Sequence, residues 1–525
     1  MTRVVRISLL LVALFIFSWG VYLRAWNLAD RIFWRDEAWV ALLTQQPWPY
    51  VLNQTDVPCP PLFAASAKLG GSLIGTPEVG MRLLPVLSGI LLLPLAYAAA
   101  RSLRLPKMMA LTGMALCAGS FMLANWSREL KQYQIEALLS VAAALLTFRI
   151  WLAGGKNRWR ELAGLAAIGL IGPWLGYGLI FSLLPLAGVL IVLPCPTPGG
   201  RRLWKQGAAC LAITLGSLAA VMVHVAAKQS SNTALLDYTH HWFIDVGHAY
   251  SWLRAGAYGM CTSAMLLLPQ GMTNEDLRSP SLAVLALAGG TWLLALAGLW
   301  AWPRRTRWAM AFWAIGPWLA MYAAAAAHRY PFGMPRMMAL VAPGMLVCAA
   351  VGAAAAFRWV TLSVAGRPAV GLALALAVAL APMVLLYDLP GNRNYWIRHD
   401  FPAVLKELQA RRAADEPVIV EVTATPVVKY YAAGHDGDFL YVPTSGGTLA
   451  PLNFDYAGLI EQVLIHHPRK CWLVRSSHDP ARSLPNAPPT LIECLEQHGW
   501  ALYPACEAGG ESLGKAQLFS AVPHR

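Results

Sequence analysis

Apolar runs of about 20 residues recur through most of the chain, separated by short polar connectors. They begin near Ile7, Met81, Lys107, Ile135, Glu161, Leu179, Gly207, Ser281, Trp308, Met337 and Pro368. Each matches the length a helix needs to cross a bilayer, so the pattern predicts a polytopic α-helical membrane protein of about 11 transmembrane helices. The run from Glu161 to Pro194 is long enough for two spans, and it divides around Pro173 to Gly178. Near residue 388 the pattern changes. PVIVEVT and CWLVRSS read as strands, and NFDYAGLIEQVLIHH reads as an amphipathic helix. Residues 1–387 are therefore expected to form a membrane domain, and 388–525 a small α/β domain outside the bilayer.

Composition supports the membrane assignment. Of 525 residues, 57% are hydrophobic and 13% charged, where a soluble domain carries about 25% charged residues. The formal net charge of +14 sits mainly in connectors, which favours a topology signal over a nucleic-acid surface. The basic connectors are Arg101, Arg104 and Lys107; Lys156, Arg158 and Arg160; Arg201, Arg202 and Lys205; Arg304, Arg305 and Arg307; and Arg358 with Arg367. Threaded from a cytoplasmic N-terminus, all fall inside, provided that Glu161–Pro194 holds two helices.

The first run, Ile7 to Trp26, follows Arg3 and Arg6 but lacks a small-residue cleavage site, as a retained signal-anchor would. The nine cysteines contain no C-x-x-C pair, so neither a zinc site nor a disulfide framework is indicated. Cys59, Cys261, Cys471, Cys494 and Cys506 fall on the outer side, where pairing is chemically allowed.

Ionisable residues concentrate on that outer side, where placing them near lipid is costly. The outer segments are a first loop, 27–80, the turn Asn125–Gln134, a second large loop, 228–280, and the segment His328–Arg336. In the first loop, RIFWRDEAWVAL carries Asp36 and Glu37. A carboxylate held there can serve as a general base; equally, Asp36 suits the N-cap of a helix running through EAWVALL. DVPCPPLF and TPEVGMRLLP follow, where Glu78 and Arg82 stand four apart, the spacing of a helical ion pair. The alternative is that Glu78 holds the loop while Arg82 faces an anionic ligand.

ANWSRELKQYQIEALL forms the third cluster. Helical spacing places Arg128, Lys131 and Gln132 on one face, with Glu129, Tyr133 and Glu136 on another. Two cations together suit a phosphate; snorkelling to lipid headgroups is the plainer use. The fourth is HRYPFGMPRMM, with His328, Arg329, Tyr330 and Arg336 at a junction broken by prolines and Gly333. Irregular backbone at membrane depth normally lines a cavity. His240, His241 and His248 match no regular zinc spacing and read as core or surface histidines.

With RDEAW, PPLF, PEVGMRLLP, SRELKQY and HRYPFGMPR in this order, the chain resembles the GT-C superfamily of polyprenyl-phosphate-sugar-dependent glycosyltransferases over about Arg3 to Met345. Within it, the branch with protein O-mannosyltransferases and lipid A aminoarabinose transferases is the most similar. The resemblance implies an inverting transferase working at the periplasmic face of a bacterial inner membrane. It further implies a polyprenyl-phosphate-linked sugar donor and a glycan, lipid or protein acceptor. The family's acidic residue falls on Asp36, with Glu37 beside it; its phosphate-binding residues fall on Arg128, Lys131 and Arg329. Glu78, Arg82, Tyr133, His328, Tyr330 and Arg336 would support the site. No cofactor is implied, and metal dependence stays open. Cys59 stands where many relatives have His before Pro-Pro, and Lys131 where Arg is usual, which keeps the charge but loses the bidentate fork.

Other classes remain open from residues alone. A lipid or polysaccharide transporter would share the membrane architecture, although paired discontinuous repeats are not visible. A polysaccharide polymerase or ligase using a lipid-diphosphate donor would share the outer cations.

Overall fold

The apolar runs fold as helices wherever the computed structural model describes them. Described are residues 3–53, 59–155, 158–196, 203–226, 243–264, 282–333, 336–364, 400–421, 424–432, 439–441, 460, 470–476, 491–508 and 516–523. Each expected span start from Ile7 to Met337 falls in or beside a helix. The run at Pro368, His240 and His241 lie outside the described residues, as does the expected helix in NFDYAGLIEQVLIHH apart from Ile460.

Among those residues, five helices are long and apolar enough to cross a membrane: Arg6–Ala25, Leu83–Ser102, Tyr133–Leu152, Trp204–His224 and Arg304–Ala326. A sixth candidate is the pair Lys107–Gly119 and Phe121–Ser127, bent by 57°. The shorter helices Tyr177–Val192, Ala288–Ala301 and Ala342–Ala356 are apolar but fall below that length. The outer faces are greasy, as at Leu10, 59% exposed, and Leu11, 61% exposed, which suits contact with lipid.

In chain order, α1 is Arg3–Ala25 and α2 is Arg35–Gln45. The first loop continues with α3 (Trp48–Asn53), α4 (Pro61–Leu73) and α5 (Pro77–Met81). Then come α6 (Leu83–Ser102), α7 (Lys107–Gly119), α8 (Phe121–Ser127), α9 (Tyr133–Leu152) and α10 (Trp159–Leu175). The expected division of Glu161–Pro194 is present: α10 ends at Leu175, a 3-10 turn spans Tyr177–Leu179, and α11 runs Ile180–Val192. Helix α12 is Trp204–Val221.

Both breaks in the bundle are chemically satisfied. Arg24, fully buried, donates to the carbonyls of Cys117 (3.0 Å) and Ala118 (3.1 Å), which the bend after α7 leaves without helical partners. The Glu136 carboxylate accepts from the Gly178 amide at 3.0 Å, filling the break between α10 and α11. The helices Leu282–Ala301 and Ala342–Val364 approach backbone to backbone. A Cβ on Gly298 would stand 1.9 Å from the Cys348 carbonyl oxygen, and one on Gly352 1.9 Å from that of Leu294. Small residues at a membrane helix interface permit this packing.

The C-terminal part contains a five-stranded sheet of order β2-β1-β3-β5-β4. Strand β1 (Val418–Val420) pairs in parallel with β2 (Phe439–Tyr441) and β3 (Cys471–Ser476). The pair β4 (Trp500–Ala508) and β5 (Ala516–Pro523) closes the sheet antiparallel, with an irregularity between Pro504 and Cys506. The expected strands in PVIVEVT and CWLVRSS are β1 and β3. One apolar core joins this sheet to the first loop: Phe33, Ala38, Val40 and Phe63 pack in the same cluster as Phe401, Val418, Val428 and Trp472. No disulfide joins any of the nine cysteines, so none of the pairings the sequence allowed is present.

Candidate functional site

The site is organised around a carboxylate that carries no exposure at all. Helix α2 opens at Arg35 with Trp34 at its N-cap, so Asp36 and Glu37 occupy its second and third positions. The expectation that Asp36 caps α2 is thus corrected by two positions, to Trp34. Glu37 instead reaches back to accept the Trp34 amide at 3.4 Å, a third-position role in helix capping. Both acids lie at the positive end of the helix.

Glu37 is saturated. Arg82 grips it through Nε to Oε1 and Nη2 to Oε2, both at 2.9 Å, and the Leu130 amide donates to Oε1 at 2.7 Å. Neither side chain is exposed. Burial opposes the charge on Glu37, but Arg82 and then Arg31 outweigh it, so its carboxyl titrates below the usual range. Arg82 also donates to the carbonyls of Arg31 and Ile32, and its guanidinium lies 4.5 Å from the centre of the Phe33 ring. The expected helical pair Glu78–Arg82 is therefore replaced by a long-range pair. Arg82 sits at the junction of α5 and α6, where Gly80 and Met81 are already buried, and this aims it at α2 rather than back along its own helix. It does not face an open ligand space.

The ANWSRELKQYQ segment is not one helix. Helix α8 ends at Ser127 and α9 starts at Tyr133, so the expected faces of Arg128–Lys131 and Glu129–Tyr133 do not form. The intervening turn is tied to the first loop: Arg31 Nη2 meets Glu129 Oε1 at 2.9 Å, and Asn125 Nδ2 meets the same oxygen at 3.1 Å. These bonds, with Leu130 on Glu37, hold the turn beside α2. Arg128 and Lys131 are both buried, 1% and 7% exposed, so the headgroup-snorkelling reading does not describe them.

Asp36 differs from Glu37 in remaining reachable. Its side chain is 17% exposed, and Oδ2 accepts from Arg336 Nη1 at 2.6 Å, while Oδ1 lies 3.4 Å from Arg35 Nε. Burial raises its pKa, yet Arg336, Arg35 and Lys131 in that order more than offset this, holding the carboxyl well below the usual carboxylate range. Lys131 also shifts downward, for a different reason: burial draws its ammonium below the ordinary lysine range, and Asp36 and Cys59 resist. Arg336 stands just before the 3-10 turn Met337–Leu340, so a residue 300 positions away in sequence completes the pair.

Other expected residues divide by location. Cys59 is buried and its thiol is pushed up to about 12, burial outweighing the opposing charge of Lys131, so it stays protonated. Tyr133 stacks edge-on against Trp126 at 5.8 Å and lies in the field of Arg336 and Asp36. Tyr330 packs on Phe181 at 4.7 Å; burial and then Glu136 push its phenol well above the ordinary value. His328 accepts a left-handed backbone (φ 54°) and places Nε2 3.0 Å from the Ile244 carbonyl, stacked on Phe243. It tethers the segment around Ile244. Arg329 is exposed, and among the described residues no bond joins it to Asp36, Arg128 or Lys131. Glu78 is half-buried, near Tyr430. His248 pairs with Asp245 at 2.7 Å on the surface.

Sequence reasoning missed the roles of four residues: Arg31, Glu129 as its partner, and Tyr430 and Tyr431 of TPVVKYY. Arg31 and Arg35 flank the aromatic pair of the first loop, with Asp30, Asp36 and Glu37 beside them, so nothing local pointed Arg31 to a partner 98 positions away. Among the described residues no cluster of three or more metal-ligating side chains occurs.

Residues 58–227 match the model of the dolichyl-phosphate-mannose-protein mannosyltransferase family. The matched segment holds Arg82, Arg128 and Lys131 and leaves Asp36 and Arg336 outside it. No curated protein matches the chain. Among solved structures, ArnT from Cupriavidus metallidurans bound to undecaprenyl phosphate aligns over 99% of this chain and 98% of its own, at 14% identity and a TM-score of 0.51. The archaeal oligosaccharyltransferase AglB from Archaeoglobus fulgidus, in complex with an inhibitory peptide and a dolichol-phosphate, aligns over 90% of this chain and 70% of its own. Its identity is 13% and its TM-score 0.51. The chain therefore has the fold of the GT-C membrane glycosyltransferases, as the resemblance in its motifs implied.

Proposed function

We propose, from this fold and this cluster, that the chain is an inverting membrane glycosyltransferase that moves a sugar from a polyprenyl-phosphate donor to an acceptor hydroxyl. One observation carries the reading: Asp36 is a reachable carboxylate held ionised among Arg336, Arg35 and Lys131. An anionic base beside cations is what the two halves of the reaction require. Asp36 takes the acceptor proton, and the acceptor oxygen attacks the anomeric carbon from the side opposite the phosphate. The bond from that carbon to the phosphate oxygen breaks, and its electron pair leaves with the phosphate. Pre-placed cations stabilise the charge that develops there.

Lys131 and Arg336 are the proposed phosphate ligands, with Arg128 behind them; Arg329 has no place in this arrangement. Before donor binds, Arg336 is committed to Asp36. A donor phosphate draws Arg336 away and leaves Asp36 free to accept a proton, so donor precedes acceptor in this scheme. Glu37 has no free oxygen for such work and serves as the anchor that holds α2 against Arg82 and Leu130. Undecaprenyl phosphate in the ArnT structure and dolichol-phosphate in that of AglB support a lipid-phosphate donor.

The proposed orientation puts the N-terminus in the cytoplasm and the Asp36 cluster on the periplasmic face of a bacterial inner membrane. Residues 1–387 then form the catalytic membrane unit and 388–525 an outer one. Incubating purified protein with polyprenyl-monophosphate sugars tests the reaction. Acceptor-dependent release of polyprenyl phosphate is expected; donor turnover that never depends on any glycan, lipid or peptide acceptor would count against transfer.

A further inference from the structure

The segment that leads into α2 is gripped from two sides. From the membrane bundle, Arg82 donates to the carbonyls of Arg31 and Ile32. From the C-terminal part, the Tyr431 hydroxyl accepts the Phe33 amide at 2.9 Å. The Phe33 ring is held between the Arg82 guanidinium, 4.5 Å away, and the edge of Tyr430, with centroids 5.1 Å apart. Tyr430 and Tyr431 themselves meet edge-to-face at 4.9 Å. Phe33 is completely buried by this enclosure. A backbone donor just ahead of a helix has no helical partner, so the Tyr431 hydroxyl fills a real vacancy in the hydrogen-bond inventory.

The two tyrosines close the short helix Thr425–Tyr431, which is rigidly seated. Its first amides bond to the Glu421 carbonyl, and Glu421 continues from β1 and bonds through its own amide to the Val474 carbonyl of β3. Val427 and Val428 are fully buried in the core shared with α2. The chain of contacts thus runs from the central strands of the sheet, through the tyrosine pair, to Phe33, and three residues later to Asp36. Such side chains, fixed by packing behind them, are what holds a reacting group in place.

We propose that Tyr431 and Tyr430 are positioning residues, through which the C-terminal α/β unit sets the placement of Asp36 and so takes part in turnover. This inference rests on the glycosyl-transfer reading above. It assigns the outer unit a role in the chemical step, separate from donor capture, because the phosphate ligands Lys131 and Arg336 belong to other segments.

The test uses the full-length protein in detergent or nanodiscs, with Tyr431→Phe and Tyr430→Leu, and Tyr503→Phe on the exposed part of β4 as a control. The first readout is deuterium exchange in the peptide covering Arg31–Trp34, which needs no substrate. Tyr431→Phe is expected to speed exchange there about tenfold, with α6 and α9 unchanged. The second readout is kinetic: kcat falls by about tenfold or more while the KM for the polyprenyl-phosphate sugar holds within about twofold. The third is the acid limb of kcat. Asp36 faces Arg35 on its own helix, Arg336 from the late loop, and Lys131 and Tyr133 from the turn and start of α9. Loosening α2 weakens those contacts, so the limb moves to higher pH, which a mere loss of folded protein would not cause. Unchanged exchange in Tyr431→Phe would remove the clamp. Faster exchange with unchanged kcat and pH profile would remove its part in turnover. If the native protein transfers no sugar, the reading of function fails on its own, and the exchange result still decides whether the tyrosines hold the loop.

Discussion

Replacing Arg82 probes the anchor on which the site is built. In the native protein it forms two 2.9 Å bonds to Glu37, donates to two loop carbonyls, and lies over Phe33, with no exposure of either charged side chain. Lysine keeps the charge but cannot reproduce a planar fork. Losing one charge-assisted bond costs about 1.5–3 kcal/mol, and losing the stacking on Phe33 about 0.5–1 kcal/mol more. Arg82→Lys should therefore loosen the Arg31–Glu37 segment by roughly 2–4 kcal/mol, a rise in local opening of about 30- to 1000-fold. Arg82→Met leaves Glu37 buried without its partner, at the about 3–5 kcal/mol seen for broken buried pairs. Deuterium exchange of the peptide holding residues 31–38 reads the opening, and acceptor-dependent release of polyprenyl phosphate reads the consequence. Were Arg82→Met to change neither by more than about twofold, the anchor account would be wrong.

Arg336→Gln removes the foremost of the charges that hold Asp36 ionised against its burial. Its pKa then rises, the carboxylate protonates at higher pH, and the acid limb of kcat shifts upward; an unmoved limb would separate Arg336 from Asp36. Lys131→Met should raise the KM for donor about tenfold or more while leaving α2 as protected as before, measured by donor titration and exchange; an unchanged KM would take Lys131 out of the phosphate site. Gly352→Ala drives a Cβ to 1.9 Å from the Leu294 carbonyl. Thermal unfolding in detergent should fall markedly for this variant, and a native-like transition would contradict the close approach of the two helices.

The helices were legible because membrane length and apolarity are local properties of the chain. The break at Pro173–Gly178 was legible too, from a run too long for one span and a basic connector pattern that needed two. What local pattern could not show was partnership. Glu78 and Arg82 have the spacing of a helical pair, but the junction between α5 and α6 points Arg82 across to Glu37, 45 positions earlier. ANWSRELKQYQ has helical spacing as well, yet the Glu37–Leu130 and Arg31–Glu129 bonds reward a turn there instead. Arg336 and Arg329 look equivalent in HRYPFGMPR, and only the path of the late loop delivers Arg336 to Asp36. TPVVKYYAAG has no catalytic pattern, since its tyrosines act on backbone supplied from the opposite end of the chain. The closing β4–β5 pair was likewise missed, while β1 and β3, with fully buried residues throughout, stood out as apolar runs.

The central claim is that Asp36 accepts the proton in sugar transfer. Asp36→Asn keeps the size and the hydrogen-bonding edge but cannot take a proton at neutral pH. The most direct measurement is acceptor-dependent release of polyprenyl phosphate by purified Asp36→Asn beside the native protein, with donor binding followed in the same samples. Loss of transfer by a factor of about 1000 or more, with donor still bound, is the expected result. Transfer at the native rate would contradict the assignment.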